Sequence, residues 1–316
     1  MRKYLRVRSV GHFEIKIPAP FDFSFTVAKP AGWHWSTPRE VFKKNTLWSG
    51  TYVNGMPVGL KMVGVGDTVN VDCYTQRPLA DDERGKLRAL IELGLGKQED
   101  LGAFYDFAKD DDILSSVIED LYGMRVGRAD SVFGRVILAI TLQMAPIKRS
   151  QDMMAKLLDK CGTTIIFDNK IVVLWPTASE IAQSSPFELR RVANLGYRAE
   201  RLVNAARYLA AHPISPLELE SQSESDAKKN VMKIPGIGEY SANLILGRSS
   251  APVDVWSVTI ISELLFGKTP EHPRQEIGNV TEVMNERWGE WSWVAFVYVL
   301  NDLPKLARRY RLSRAI

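Results

Sequence analysis

Two short stretches of the chain carry residue types that could do chemistry together. The first is Ile234-Pro235-Gly236-Ile237-Gly238, followed at once by EYSANLILG. Pro235 fixes its own φ, and the two glycines allow positive φ and keep side chains out of the way. The residues after Gly238 suit a helix, whose free N–H groups and dipole would point at the turn and form an anion site. A phosphodiester could approach such amides, a contact that positions DNA without reading its bases. A plain helix–helix turn fits the same residues. The second stretch is APVDVW, with Asp254 just ahead of VWSVTIISELLFG. Pro252 and Val253 favour an extended approach and the following segment has a helical period, so Asp254 is a natural N-cap. A carboxylate held there could also be catalytic. Capping alone is the plainer reading of Asp254 by itself.

Something must position these two stretches, and the pattern along the chain suggests what. Apolar and polar residues alternate in FEIKI (13–17), FDFSFTV (21–27), LWSGTYV (47–53), VGLKMVGVG (58–66) and TVNVDCYT (68–75), punctuated by Asn54-Gly55 and Gly66-Asp67. These read as strands joined by hairpins. ADDERGKLRALIELGL (80–95) changes to a helical period with an acidic start. Beyond residue 100 most segments place apolar residues at i, i+3, i+4 and i+7, often after Asp or Ser and before Gly. TTIIFDNKIVVLWP (163–176) interrupts them as a short hairpin. The expected fold is mainly α with an α+β N-terminal domain: residues 1–105 form a β-rich domain and residues 106–316 a helical region.

Composition narrows the class. The chain has 316 residues, 45% of them hydrophobic and 25% charged, enough to bury sizeable cores without staples. Its two cysteines, Cys73 and Cys161, are too few for a disulfide scaffold or a four-cysteine metal site. They suit a reducing compartment, and a cytoplasmic (or nuclear) location is expected. No apolar run is long enough to span a bilayer, and the start MRKYLRVRSVGHFEIK lacks an apolar h-region, so neither membrane span nor secretion signal is expected. The net charge of +4 is compatible with a nucleic-acid partner but does not establish one. The basic tail KLARRYRLSR reads equally as a solvated end or as a phosphate contact. His12, His34, His212 and His272 lack metal-ligand spacing, and Trp33-His34-Trp35 reads as packing.

The order of hairpin, helix, loop and capping Asp resembles the helix–hairpin–helix DNA glycosylase superfamily. The motif IPGIG, the small Ala242 in the next helix and Pro252-Val253-Asp254 carry the likeness. LGYRAERL (195–202) is similar to the helix that precedes the family hairpin, and GRVILAITLQMA (134–145) to the helix that leads into the duplex-penetrating loop. The resemblance covers roughly residues 105–305, and a β-rich domain ahead of it is similar to the alkylpurine (AlkA-type) and 8-oxoguanine branches.

The resemblance implies residue roles. Asp254 would stabilise the oxocarbenium-like sugar as the N-glycosidic bond breaks. The bifunctional branches place a Schiff-base lysine where this chain has Tyr240, and a phenol cannot form one. Lys233 precedes the hairpin and lies outside that slot in the family pattern. A monofunctional enzyme is therefore expected, closest to the AlkA-type branch, in which an aromatic lines the base pocket. In RWGEWSWVAFVYVL, Trp291 matches that branch's stacking tryptophan. Tyr240 and Trp291 would sandwich a flipped base, with Trp256 close by. Stacking a cationic methylpurine on indole adds about 0.5–2 kcal/mol. Met144 matches the wedge that fills the vacated stack, and Gln143 would contact the opposite strand or shape the loop. The hairpin residues Pro235, Gly236, Ile237 and Gly238 would meet the DNA backbone. Structural K⁺ or Na⁺ would sit on the carbonyls of Ile234 and Ile237. The iron–sulfur branch is excluded by the cysteine count.

The plainer alternatives are core roles for Met144 and for Trp288, Trp291 and Trp293. The expected function is removal of alkylated purines (3-methyladenine, 7-methylguanine) from double-stranded DNA by a monomer with no organic cofactor or catalytic metal, with two helical subdomains around a DNA cleft. Rival readings are a glycosylase of the same fold for hypoxanthine, uracil or oxidised purine, a non-catalytic DNA-binding module, and a protein-interaction scaffold.

Overall fold

The computed structural model describes residues 3–29, 39–128, 130–248 and 250–313. Trp33, His34 and Trp35 lie outside the described residues. The chain divides into two compact units, each assembled from separated segments. The first comprises Met1–Ala19, His34–Gln98 and Gly127–Leu246, the second Pro20–Trp33, Glu99–Val126 and Gly247–Ile316. Neither unit follows a single cut at about residue 105.

In the first unit β2 (Arg8–Lys16), β3 (Val41–Lys43), β4 (Thr46–Val53), β5 (Met56–Val65) and β6 (Thr68–Thr75) form an antiparallel sheet in the order β2-β6-β5-β4-β3. Asn54 and Gly55 turn β4 into β5 with positive φ at both positions, as a two-residue hairpin with right-handed strand twist requires. A second sheet holds β1 (Lys3–Arg6), β7 (Thr163–Phe167) and β8 (Lys170–Leu174) in the order β1-β7-β8, with β1 parallel to β7. The sheets approach closely because β4 and β5 carry glycines where side chains would collide: a Cβ at Gly59 would lie 2.7 Å from the Phe167 ring and one at Gly50 2.8 Å from Ile165. The helices Val132–Leu142, Pro186–Ala193, Arg198–Ala211, Glu224–Met232 and Glu239–Leu246 also belong to this unit.

The second unit is helical. Its core gathers Phe104, Val117, Ile261, Met284, Trp288, Phe296 and Tyr298 from five helices. Of the segment 21–27, expected as a strand, residues 23–27 lie instead in the helix Phe23–Ala28. Asp22 accepts from Phe25 N–H at 2.7 Å, and that cap outweighs the alternation of F-D-F-S-F; Phe23, Thr26 and Val27 are then buried on one side at helical spacing.

Candidate functional site

Asp254 stands half-buried at the head of the helix Ser257–Phe266. Its Oδ1 accepts three hydrogen bonds, from Trp256 N–H at 3.0 Å, Ser257 N–H at 2.7 Å and Ser257 Oγ–H at 2.8 Å. In return Ser257 Oγ accepts from Asp254 N–H at 2.8 Å. Val258 N–H donates to Asp254 O at 2.8 Å, so the helical ladder begins at this residue. Oδ2 has no hydrogen-bond partner among the described residues. One carboxylate oxygen is thus tied down by three donors while the other accepts from none among the described residues. Trp256, next to this cap, is 39% exposed.

The three tryptophans of the 288–293 segment separate clearly. Trp288 is buried and its Nε1–H donates to Asp111 at 3.1 Å, and Trp293 is buried against Gly247. Trp291 ends the 3-10 turn Gly289–Trp291, only half-buried, with its ring 5.5 Å from that of Phe104. Of the three, it alone keeps indole surface available for stacking.

In the first unit, the hairpin has the construction its sequence suggested. Ile234 and Ile237 are buried anchors, while Pro235, Gly236 and Gly238 are exposed. Ile237 N–H closes the turn on Ile234 O at 3.1 Å, and Gly236 takes φ 84°, a conformation open to glycine but costly for other residues. Gly238 O starts the next helix by accepting from Ala242 N–H at 2.8 Å. The acid beside this anion-attracting end, Glu239, is paired with Lys228 at 2.6 Å, and that hydrogen bond holds its carboxyl below the usual range. Tyr240 is half-buried on the first turn of the helix. Lys233 donates to Asn230 Oδ1 at 3.0 Å from the end of the preceding helix.

Gln143 and Met144 follow the helix Val132–Leu142. Gln143 Nε2 donates to Gly236 O at 3.0 Å and to Ser241 Oγ at 3.4 Å, while its Oε1 accepts from Arg201 at 2.6 Å. Its backbone carbonyl accepts from Arg198 Nε at 3.0 Å, from a second nitrogen of the same guanidinium, and from Tyr197 Oη at 3.4 Å. Both guanidiniums lie over the Tyr197 ring, 4.5 and 4.9 Å from its centre. Met144 is 74% exposed and has φ 51°, a strained left-handed conformation for a non-glycine residue. The core reading of Met144 does not hold. Arg198 is buried, which lowers the proton affinity of its guanidinium, as do the neighbouring Arg149 and Arg201 charges.

No family model matches the chain. Over 228 residues it is 24% identical to a DNA-3-methyladenine glycosylase of Bacillus subtilis (strain 168), covering 71% of this chain and 74% of that protein. Among solved structures, a 3-methyladenine DNA-glycosylase from Archaeoglobus fulgidus aligns over 92% of this chain and 98% of its own with a TM-score of 0.70 and 21% identity. An 8-oxoguanine glycosylase/lyase of Clostridium acetobutylicum aligns over 95% and 99% with a TM-score of 0.68 and 15% identity.

The fold is that of the helix–hairpin–helix DNA glycosylases. The turn at 234–238 and the cap at Asp254 form at the positions read from the sequence. The grip of Tyr197, Arg198 and Arg201 on Gln143, and the bonds between Ser257 and Asp254, lie beyond what the sequence pattern marks. The sequence offered a signal for the arginines, since Y-R-A-E-R spaces them i, i+3 on one helix face. What they hold depends on a turn more than fifty residues away. Among the described residues no group of three His, Cys, Asp or Glu could hold a metal ion. His12 pairs with Asp72 at 2.8 Å and His212 stacks on Tyr208. In the basic tail Lys305 pairs with Asp120 at 2.6 Å, and Arg308 and Arg309 are exposed.

Proposed function

We propose that this protein is a monofunctional DNA glycosylase that flips alkylated purines out of double-stranded DNA and hydrolyses their N-glycosidic bonds, leaving an abasic site. The observation that carries this is the Asp254 carboxylate, fixed through Oδ1 by three donors with Oδ2 left over. As the C1′–N bond breaks, its electron pair leaves with the base and positive charge develops on the sugar. Asp254 Oδ2 stabilises that charge, water adds at C1′, and the water's proton is released. A methylated purine is already cationic and leaves readily, so little further assistance is needed.

Trp291 supplies an aromatic face for such an electron-poor ring, and Trp256 flanks the carboxylate. Tyr240 is assigned the pocket position held by lysine in the lyase branches, where a phenol cannot form a Schiff base. This favours an alkylpurine enzyme over the 8-oxoguanine reading that a glycosylase/lyase neighbour would suggest. The names of the Bacillus subtilis and Archaeoglobus fulgidus proteins support the same substrate class. The exposed Pro235, Gly236 and Gly238 and the helix behind them receive a phosphate. Structural K⁺ or Na⁺ belongs to the same proposal: Ile234 O gives one lone pair to Ile237 N–H, which leaves one for an ion beside Ile237 O. No organic cofactor is required, and the protein acts as a monomer on DNA in the cytoplasm or nucleus. No helix among the described residues is long and apolar enough to cross a membrane.

The test is incubation with dimethyl sulfate-treated DNA, with chromatography of released bases and strand analysis with and without alkali. Methylpurine release with strands cut only after alkali is expected. Cutting without alkali, or a borohydride-trapped protein–DNA adduct, would contradict the monofunctional mechanism. Duplex binding without release of any base would make the protein a DNA-binding module.

A further inference from the structure

The side chain of Gln143 is an amide with both ends engaged inside the protein. Its donor end reaches the hairpin at Gly236 O, and its acceptor end receives Arg201. Its backbone carbonyl, the last before Met144, is held from the other side by Arg198 and Tyr197. The stem of Arg201 also lies along Gly236, 3.5–3.7 Å from where a Cβ would stand. One residue therefore joins two loops that are far apart in sequence, and it does so next to a strained, exposed methionine. Strain of this kind persists only where the surroundings over-determine it, and here they do so through Gln143.

We propose that Gln143 is a positioning residue that locks the Gln143–Met144 turn to the 234–238 hairpin, so that seating a phosphate on the hairpin and driving Met144 into the base stack are one event. This rests on the glycosylase reading for its DNA half. Gln143 then reads no base on the opposite strand, because both ends of its amide are already satisfied. Arg198 and Arg201 act through it: the first sets the backbone carbonyl before Met144, the second sets the amide's orientation so that the NH₂ faces Gly236.

Two variants separate the lock from its alternatives. Gln143→Glu keeps the shape and the acceptor for Arg201 but sets an oxygen against Gly236 O. Gln143→Met keeps only the length. In the DNA-free protein, hydrogen exchange should quicken in both variants over 140–146 and also over 234–238, by roughly fivefold, the equivalent of one net hydrogen bond. On duplexes carrying an abasic-site analogue beside 2-aminopurine, with protein at saturation, both variants should unstack the fluorophore roughly 10- to 100-fold more slowly than the wild type, as for a misplaced reacting group. The opposite-base preference should not change. Exchange that quickens only over 140–146 would overturn the lock. So would an altered opposite-base preference with an unchanged unstacking rate. If the wild type itself neither unstacks the duplex nor releases a base, the glycosylase reading fails while coupled exchange still upholds the lock.

Discussion

Asp254 and Ser257 bind each other reciprocally: the backbone N–H of each donates to the side chain of the other, at 2.8 and 2.7 Å, and the serine hydroxyl closes a third bond to Oδ1. The consequence is a carboxylate whose direction is set by the start of a helix rather than by flexible neighbours. A capping residue and a charge stabiliser need the same thing, a fixed oxygen near backbone donors, so one residue can serve both needs.

If Ser257 aims the carboxylate, Ser257→Ala should lower stability by only about 1 kcal/mol, the usual worth of a cap interaction. The single-turnover excision rate should fall further, roughly tenfold, because small misplacements near a reacting centre are costly. Thermal unfolding and rapid-quench excision on methylated duplex DNA measure the two effects. A rate equal to the wild type's would remove Ser257 from the mechanism.

Trp288 and Trp291 should respond to alanine in opposite ways. Trp288 is fully enclosed and bonded to Asp111, so Trp288→Ala should cost about 3–5 kcal/mol of stability. Trp291 is half-buried against Phe104. Trp291→Ala should leave the fold largely stable and weaken excision by roughly 5- to 150-fold, the loss of one base–aromatic stack of about 1–3 kcal/mol. Denaturant titration beside excision kinetics would show the crossover; equal effects at both positions would contradict it.

Two buried carboxyls set a pH dependence of stability. Burial, with Asp120 beside it, pushes Asp302 to about 7, and burial pushes Asp130 to about 7. Both lie above the ordinary value of about 3.9, so the folded state holds protons that the unfolded state has released. Their stabilising effect is complete below about pH 4, is lost as pH rises to about 7, and changes little above that. Asp302→Asn should flatten this slope and raise the melting temperature at pH 8 relative to the wild type. Melting curves across pH 4–8 that are parallel for both proteins would contradict the assignment.

Local features were the legible ones. The hairpin turn at 234–238 and the cap at Asp254 are written in consecutive residues, and strands 46–75 carry Asn-Gly and Gly-Asp turns at their ends. The segment 21–27 reads as a strand because F-D-F-S-F alternates with period two, while one cap residue decides for helix. Strand Lys3–Arg6 is not legible locally because its partner is Thr163–Phe167, a pairing with no local mark. The same reason hid the arginine grip on Gln143. Only the family resemblance singles out Trp291 from Trp288 and Trp293, since their sorting into core and surface depends on how the 3-10 turn interrupts two helices.

The most direct test of the central claim is the single-turnover excision rate of Asp254→Asn on methylated duplex DNA, with abasic-duplex affinity measured in parallel. Asn caps helices as well as Asp does, so this variant removes the charge and keeps the fold. The account predicts unchanged stability and DNA affinity with a rate lower by roughly 10²–10³-fold, the scale of losing one aimed electrostatic group. A rate within a few-fold of the wild type's would mean that the Asp254 charge does not stabilise the transition state.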